Sequence, residues 1–129
     1  MTFHRAFDVT RDPEGAFEDV VALGVDRLLT SGAAPNALEG ADLIARLVAK
    51  AAGRVIVMPG GGVNERTASR IVAQTGAREL HFTANETVTS ATRFHPGGIH
   101  MGGALHPPET TRSVTTAARV RAIITSASG

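Results

Sequence analysis

Val55-Ile56-Val57-Met58-Pro59-Gly60-Gly61-Gly62-Val63-Asn64 is the stretch on which the reading of this chain turns. An apolar run of strand length meets three glycines, and Asn64 then offers a helix start. Backbone N–H groups of such a loop, with the N-terminus of the following helix, form a partly positive concavity suited to phosphate or another anion. Glycine suits the place because a side chain would block close approach and unusual backbone angles. On its own, a triple glycine is equally what a tight strand-to-helix turn requires. Its weight comes from the rest of the chain, which repeats the same strand–loop–helix plan.

Thr2-Phe3-His4-Arg5-Ala6, Val25-Asp26-Arg27-Leu28-Leu29-Thr30, Val55-Ile56-Val57-Met58 and Glu79-Leu80-His81-Phe82 each read as a short strand. Their starts at 2, 25, 55 and 79 lie 23, 30 and 24 residues apart, close to the roughly 30 residues per unit of a (β/α)₈ barrel. A helix follows each. Asp12-Pro13-Glu14 supplies an N-cap, a first-turn proline and an early acid. Ala16, Phe17, Val20, Val21 and Leu23 then form an apolar face that Gly24 ends. Leu43, Ile44, Leu47, Val48 and Ala51 repeat that spacing up to Gly53. Asn64 caps a third helix with Ala68, Ile71 and Val72 inward and Gly76 at its end. A fourth, threonine-rich and poorly capped, is expected around Thr111 to Ser126. Strands alternating with helices in this way mean an α/β fold with parallel strands joined by crossovers.

Composition agrees with one globular domain and excludes several functions. The hydrophobic fraction of 43% is enough for a core at 129 residues. Charges of both signs are interspersed around a net charge of +1, so no basic face argues for nucleic acid. Aromatic residues make up only 4% and are all Phe, which leaves few stacking platforms for single strands. No apolar run approaches the roughly 18 residues of a membrane span, and no signal peptide is evident. With no cysteine, thiolate nucleophiles and cysteine-ligated metals are absent. A cytoplasmic location is the default expectation.

Five phrases together are distinctive: Thr2-Phe3-His4-Arg5-Ala6-Phe7-Asp8, Leu29-Thr30-Ser31-Gly32, Ala37-Leu38-Glu39-Gly40, Met58-Pro59-Gly60-Gly61-Gly62-Val63 and His81-Phe82-Thr83-Ala84. In content, order and spacing they resemble the CutC family, strongly over about residues 2–85 and in outline beyond. The family is named for copper homeostasis and has a (β/α)₈ barrel fold. The resemblance places residues 1–129 as the C-terminal half of such a TIM-type barrel, strands five to eight. Met1 would then stand directly before the fifth strand, implying a truncated product, a misplaced start codon or a half-barrel. Four strands cannot close a cylinder that needs eight. Two open sheet edges would invite pairing with another chain, so a homo-oligomer, most simply a homodimer, is expected.

In such a barrel the chemistry gathers at the C-terminal ends of the strands. His4, Arg5 and Asp8 belong to the end of the first strand and its loop, Thr30 and Ser31 to the second. Gly60, Gly61 and Gly62 follow the third, and His81 and Thr83 the fourth. Strand alternation with Phe3 and Phe82 under the helices would turn His4, His81 and Thr83 inward. Two imidazoles there could serve one substrate as acid and base, with Asp8 in the catalytic set. Arg5 could pair with an acid or phosphate, beside Thr30, Ser31, Thr83 and the glycine loop. Structural readings stand next to these: satisfied barrel histidines, an ion pair of Arg5 with Asp8 or Asp26, and capping hydroxyls at Thr30 and Ser31. The glycine loop is the strongest anion site, since phosphate often binds the loops after strands seven and eight.

The segment from His95 through His100 and Met101 to His106 brings three histidines and a methionine into a glycine- and proline-rich stretch. Imidazole and thioether suit copper, but the irregular spacing favours a solvated loop, and no metal site is assigned. Copper is implied by the family name alone, and copper sites proposed in the family lean on cysteine. Three functions follow: copper handling by binding, a barrel enzyme acting on a small phosphorylated or carboxylated compound, or a non-functional remnant.

Overall fold

The computed structural model describes residues 1–91 and 111–129. Three parallel strands form its sheet in the order β1 (Thr2–Phe3), β2 (Arg27–Thr30) and β3 (Ile56–Pro59). The register sets Phe3 beside Leu28 and Leu28 beside Val57, while Thr2, Arg27 and Ile56 line up in the neighbouring row. Because side chains alternate along a strand, these rows occupy opposite faces. Leu28, Thr30, Val57 and Pro59 are buried on one face; Arg27, Leu29 and Met58 are half-buried on the other, where Ile56 is 38% exposed. Phe3 therefore does turn toward the helices, as alternation implied.

Helices α1 (Pro13–Ala22), α2 (Ala41–Ala51) and α3 (Ala68–Thr75) follow the three strands in turn. Asp12 caps α1, its Oδ1 accepting from Gly15 N at 3.1 Å, with Pro13 as first helical residue. In α2, Ile44 and Leu47 are fully buried, one turn apart on the stripe that the apolar spacing marked out. The core combines them with Phe7, Phe17, Leu28, Ile71 and Ile123, each contributing about 2 kcal/mol of hydrophobic stabilisation.

Several elements depart from the sequence reading. The first strand stops at Phe3, because His4 begins a 3₁₀ turn over Arg5–Val9. Glu79–Phe82 does not form a strand; it contributes one parallel bridge, Gly60 to His81, with His81 N donating to Pro59 O at 2.9 Å. Asn64 opens a turn, its Oδ1 accepting from Arg66 N, and the α-helix starts only at Ala68. Thr111–Thr115, expected as helix, is strand β5, antiparallel to β4 (Asn85–Thr89). β-Branched Thr87, Val88 and Thr89 in one segment and Thr111, Val114 and Thr115 in the other favour the extended form. Helix α4 (Ala117–Ser128) then starts one residue after Thr116, whose side chain caps it. The His95–His106 segment lies outside the described residues.

The connection from Ser31 to Gly40 closes on its own backbone. A β-carbon on Gly32 would fall 2.2 Å from the Gly40 oxygen, and one on Gly40 would fall 1.9 Å from the Ser31 oxygen. Both positions therefore demand glycine. Ala37, wholly buried, donates its N–H to Gly61 O at 2.9 Å and ties this loop to the glycine turn after β3.

Candidate functional site

The C-terminal ends of β1, β2 and β3 bring most of the expected residues together. Asp8 is the hub. Its carboxylate accepts from Thr30 Oγ1, from Ser31 N at 2.9 Å and Oγ at 2.9 Å, from Ala33 N at 3.2 Å and from Arg5 Nε at 2.8 Å. Only 7% of the Asp8 side chain is exposed. Burial pushes its pKa up, but the hydrogen bonds from Arg5, Thr30, Ser31 and Ala33 outweigh it and hold the carboxyl below its ordinary value. Asp8, proposed from sequence as catalytic, thus spends its acceptor capacity on the fold; the ion pair of Arg5 with Asp8 is the structural alternative realised.

Arg5 is fixed at two nitrogens, since Nη2 also donates to Ser31 Oγ at 2.7 Å. Its guanidinium lies along the next loop: a β-carbon on Gly61 would sit 3.2 Å from Arg5 Nη1. Gly61 combines that crowding with a φ of 101°, so glycine is required there on two counts. No hydrogen bond among the described residues takes the amide N–H of Gly61, Gly62 or Val63. Asn64 Nδ2 and Thr67 Oγ1 instead both donate to Gly62 O, which holds the turn in shape.

Gly61, Gly62 and Val63 border a pocket of about 260 Å³ lined also by Asn64, His81, Thr83, Asn85 and Arg119. Arg119 comes from α4 and pairs with Glu65, Nη2 to Oε2 at 2.9 Å. Its Nε is buried and finds no hydrogen-bond partner among the described residues. Sequence reading passed over Arg119, because α4 was examined for its apolar stripe only. A cation at the third position of a short capped helix was the signal available.

The two histidines do not meet. His4 is exposed, its Nδ1 accepts from Ala6 N at 3.0 Å, and its ring stacks on Phe3. His81 is bridged to Gly60, beyond β2 and β3. Strand spacing alone separates their positions by roughly 14 Å. His4 follows the last strand residue in extended conformation and caps the 3₁₀ turn. Thr30 and Ser31 are buried and engaged with Asp8, whereas His81 and Thr83 border the pocket.

Among the described residues, no group of three or more His, Asp or Glu side chains is placed to hold a metal ion. No helix among them is long and apolar enough to cross a membrane.

Comparison with known proteins agrees with this geometry. The CutC family model matches residues 1–86. A CutC family protein of Bacteroides thetaiotaomicron is 46% identical over 120 residues, covering 93% of this chain and 48% of the relative. The copper homeostasis protein cutC homolog of Homo sapiens is 44% identical over 123 residues, covering 95% of this chain and 45% of the relative. The chain thus spans about half the length of these curated relatives. A crystal structure of a CutC from Streptococcus agalactiae superposes with a TM-score of 0.58 at 34% identity, over 62% of this chain and 40% of that one. Sequence, strand order and glycine loop lead to one assignment: the chain belongs to the CutC family.

Proposed function

We propose that this chain supplies part of a CutC-type barrel, four of its eight βα units, and that its contribution is a pocket for a small anionic ligand. Copper homeostasis is the setting that the names of its relatives supply. The observation that carries the reading is the pocket in which Arg119 stands with Gly61, Gly62 and Val63, whose amides donate no hydrogen bond among the described residues. An oxyanion such as phosphate or a carboxylate would satisfy them.

Phosphate or sulfate is therefore expected to raise the melting temperature of the parent chain in a concentration-dependent way. Gly61→Val, which places branched carbons against Arg5 and strains a positive φ, should abolish most of that rise. Far-ultraviolet dichroism of the same samples controls for helix content. Equal anion-dependent stabilisation in variant and parent would refute the pocket.

Copper itself is expected to bind weakly, since the chain has no cysteine and the described residues cluster no donors. In competition with a Cu(I) chelator the isolated chain should retain no stoichiometric metal. A 1:1 complex that survived the chelator and disappeared in His100→Ala, Met101→Ala would overturn this.

A further inference from the structure

Arg5 has one nitrogen left over. Asp8 holds Nε at 2.8 Å and Ser31 holds Nη2 at 2.7 Å, whereas Nη1 has no partner among the described residues. That nitrogen lies 3.2 Å from where a β-carbon on Gly61 would sit; Gly61 lines the pocket, and Arg5 stands beside that lining rather than in it. A guanidinium held at two of its three nitrogens has already lost most of its rotamer freedom, so a ligand contact at the third costs little further ordering. The side chain is 44% exposed, so a ligand can reach it from solvent. Asp8, at 7% exposure and bonded from five directions, cannot follow the ligand and acts as an anchor.

We infer that Arg5 is a binding residue for the ligand of the Gly61–Gly62 pocket, with Asp8 and Ser31 as its positioning residues, and that the group it contacts is a phosphate. The inference rests on the pocket reading above and deepens it by naming the ligand's head group. A tetrahedral phosphate has oxygens enough to accept from the Gly61–Val63 amides and from Nη1 at once. A single carboxylate has two oxygens for the same donors. The glycine at 61 lets the guanidinium lie this close to the loop.

Inorganic phosphate and acetate are the probes, titrated calorimetrically into the full chain and into Arg5→Gln, Arg5→Lys and Arg66→Gln. The parent should bind phosphate more tightly than acetate. Arg5→Gln should weaken phosphate about tenfold or more, the loss of one charge-assisted contact. Arg5→Lys should recover little, because a single ammonium cannot hold Asp8 and Ser31 and still reach the ligand. It also keeps the charge that folding needs, so it decides the matter if the Gln variant does not fold. Arg66→Gln removes an exposed charge nearby and should leave the affinity unchanged. Unaltered phosphate affinity in the Arg5 variants would overturn the role of Arg5 and leave the pocket standing. A loss in Arg66→Gln as large as in Arg5→Gln would replace a contact by a general field, and would equally overturn it. Acetate binding as tightly as phosphate would overturn the head group. A parent that binds neither ion would remove the pocket and this inference together.

Discussion

Expressed alone, the chain is expected to run as a dimer or to aggregate, not as a stable monomer of 13.4 kDa. The reason is the sheet face away from the helices. Leu29 and Met58 are only half-buried there, Ile56 is 38% exposed, and the half-exposed Arg27–Glu79 ion pair lies beside them. Parallel sheets are found almost only with both faces covered, because their strands carry apolar residues on both sides. Among the described residues no strand pairs with the outer edge of β1, whose N–H and C=O groups another strand could take. In a closed barrel of eight strands the uncovered face would be the interior. A second copy, related by a two-fold axis, would cover that face and offer its own strands to the open edge. Light scattering coupled to size exclusion, with a thermal melt of the same fraction, tests this. A monodisperse monomer that melts cooperatively would defeat the expectation and the half-barrel proposal behind it.

Removing the Asp8 carboxylate should do more damage than any other single change at the strand ends. Asp8→Ala strips partners from the buried Thr30 and Ser31, and from the Ala33 N–H and the Arg5 guanidinium. Breaking a largely buried, hydrogen-bonded charge in this way costs about 3 kcal/mol, or roughly 10 °C in melting temperature for a domain of this size. The pH dependence has a definite sign. The folded-state pKa of Asp8 is lowered, so its contribution is present above the unfolded value, near pH 4, and is lost as pH falls through the folded value. Urea melts at pH 7 and pH 3 should therefore show Asp8→Asn well below the parent at pH 7, with a smaller gap at pH 3. Taking the difference between the two proteins cancels the other carboxylates of lowered pKa, Glu18, Asp26, Glu65 and Glu79. A gap of the same size at both pH values would show that the Asp8 contacts do not depend on its charge.

How much of this could be read beforehand depends on how local each determinant is. Asp12-Pro13 and the Ile44–Leu47 spacing fix α1 and α2 through contacts within one or two turns, and both helices form where the pattern put them. The Gly60–Gly62 turn was legible for the same reason. Glu79–Phe82 was not, because a strand needs a partner along its length and only His81 is bridged to Gly60. Thr111–Thr115 was misjudged as helix since its extended form is settled by pairing with Asn85–Thr89, some 26 residues back. At the site, the residues Arg5, Asp8, Thr30 and Ser31 were all named from the strand ends. Their roles were not, since a saturated carboxylate and a catalytic one look alike in sequence. The role of His4 as cap of the 3₁₀ turn was not foreseen, because that turn is settled by the contacts of Phe7 and Asp8 rather than by the strand pattern. Arg119 was invisible because its place in the pocket depends on how α4 packs against the rest.

The backbone clasp between Gly32 and Gly40 has a kinetic consequence. A loop whose two ends touch without side chains between them has no slack to swing outward, and Ala37 pins its crest to Gly61. This side of the site is a fixed hoop rather than a lid. If a ligand binds at the proposed Gly61 pocket, it would meet a wall already in place, and its association would not wait on a closing motion of this loop.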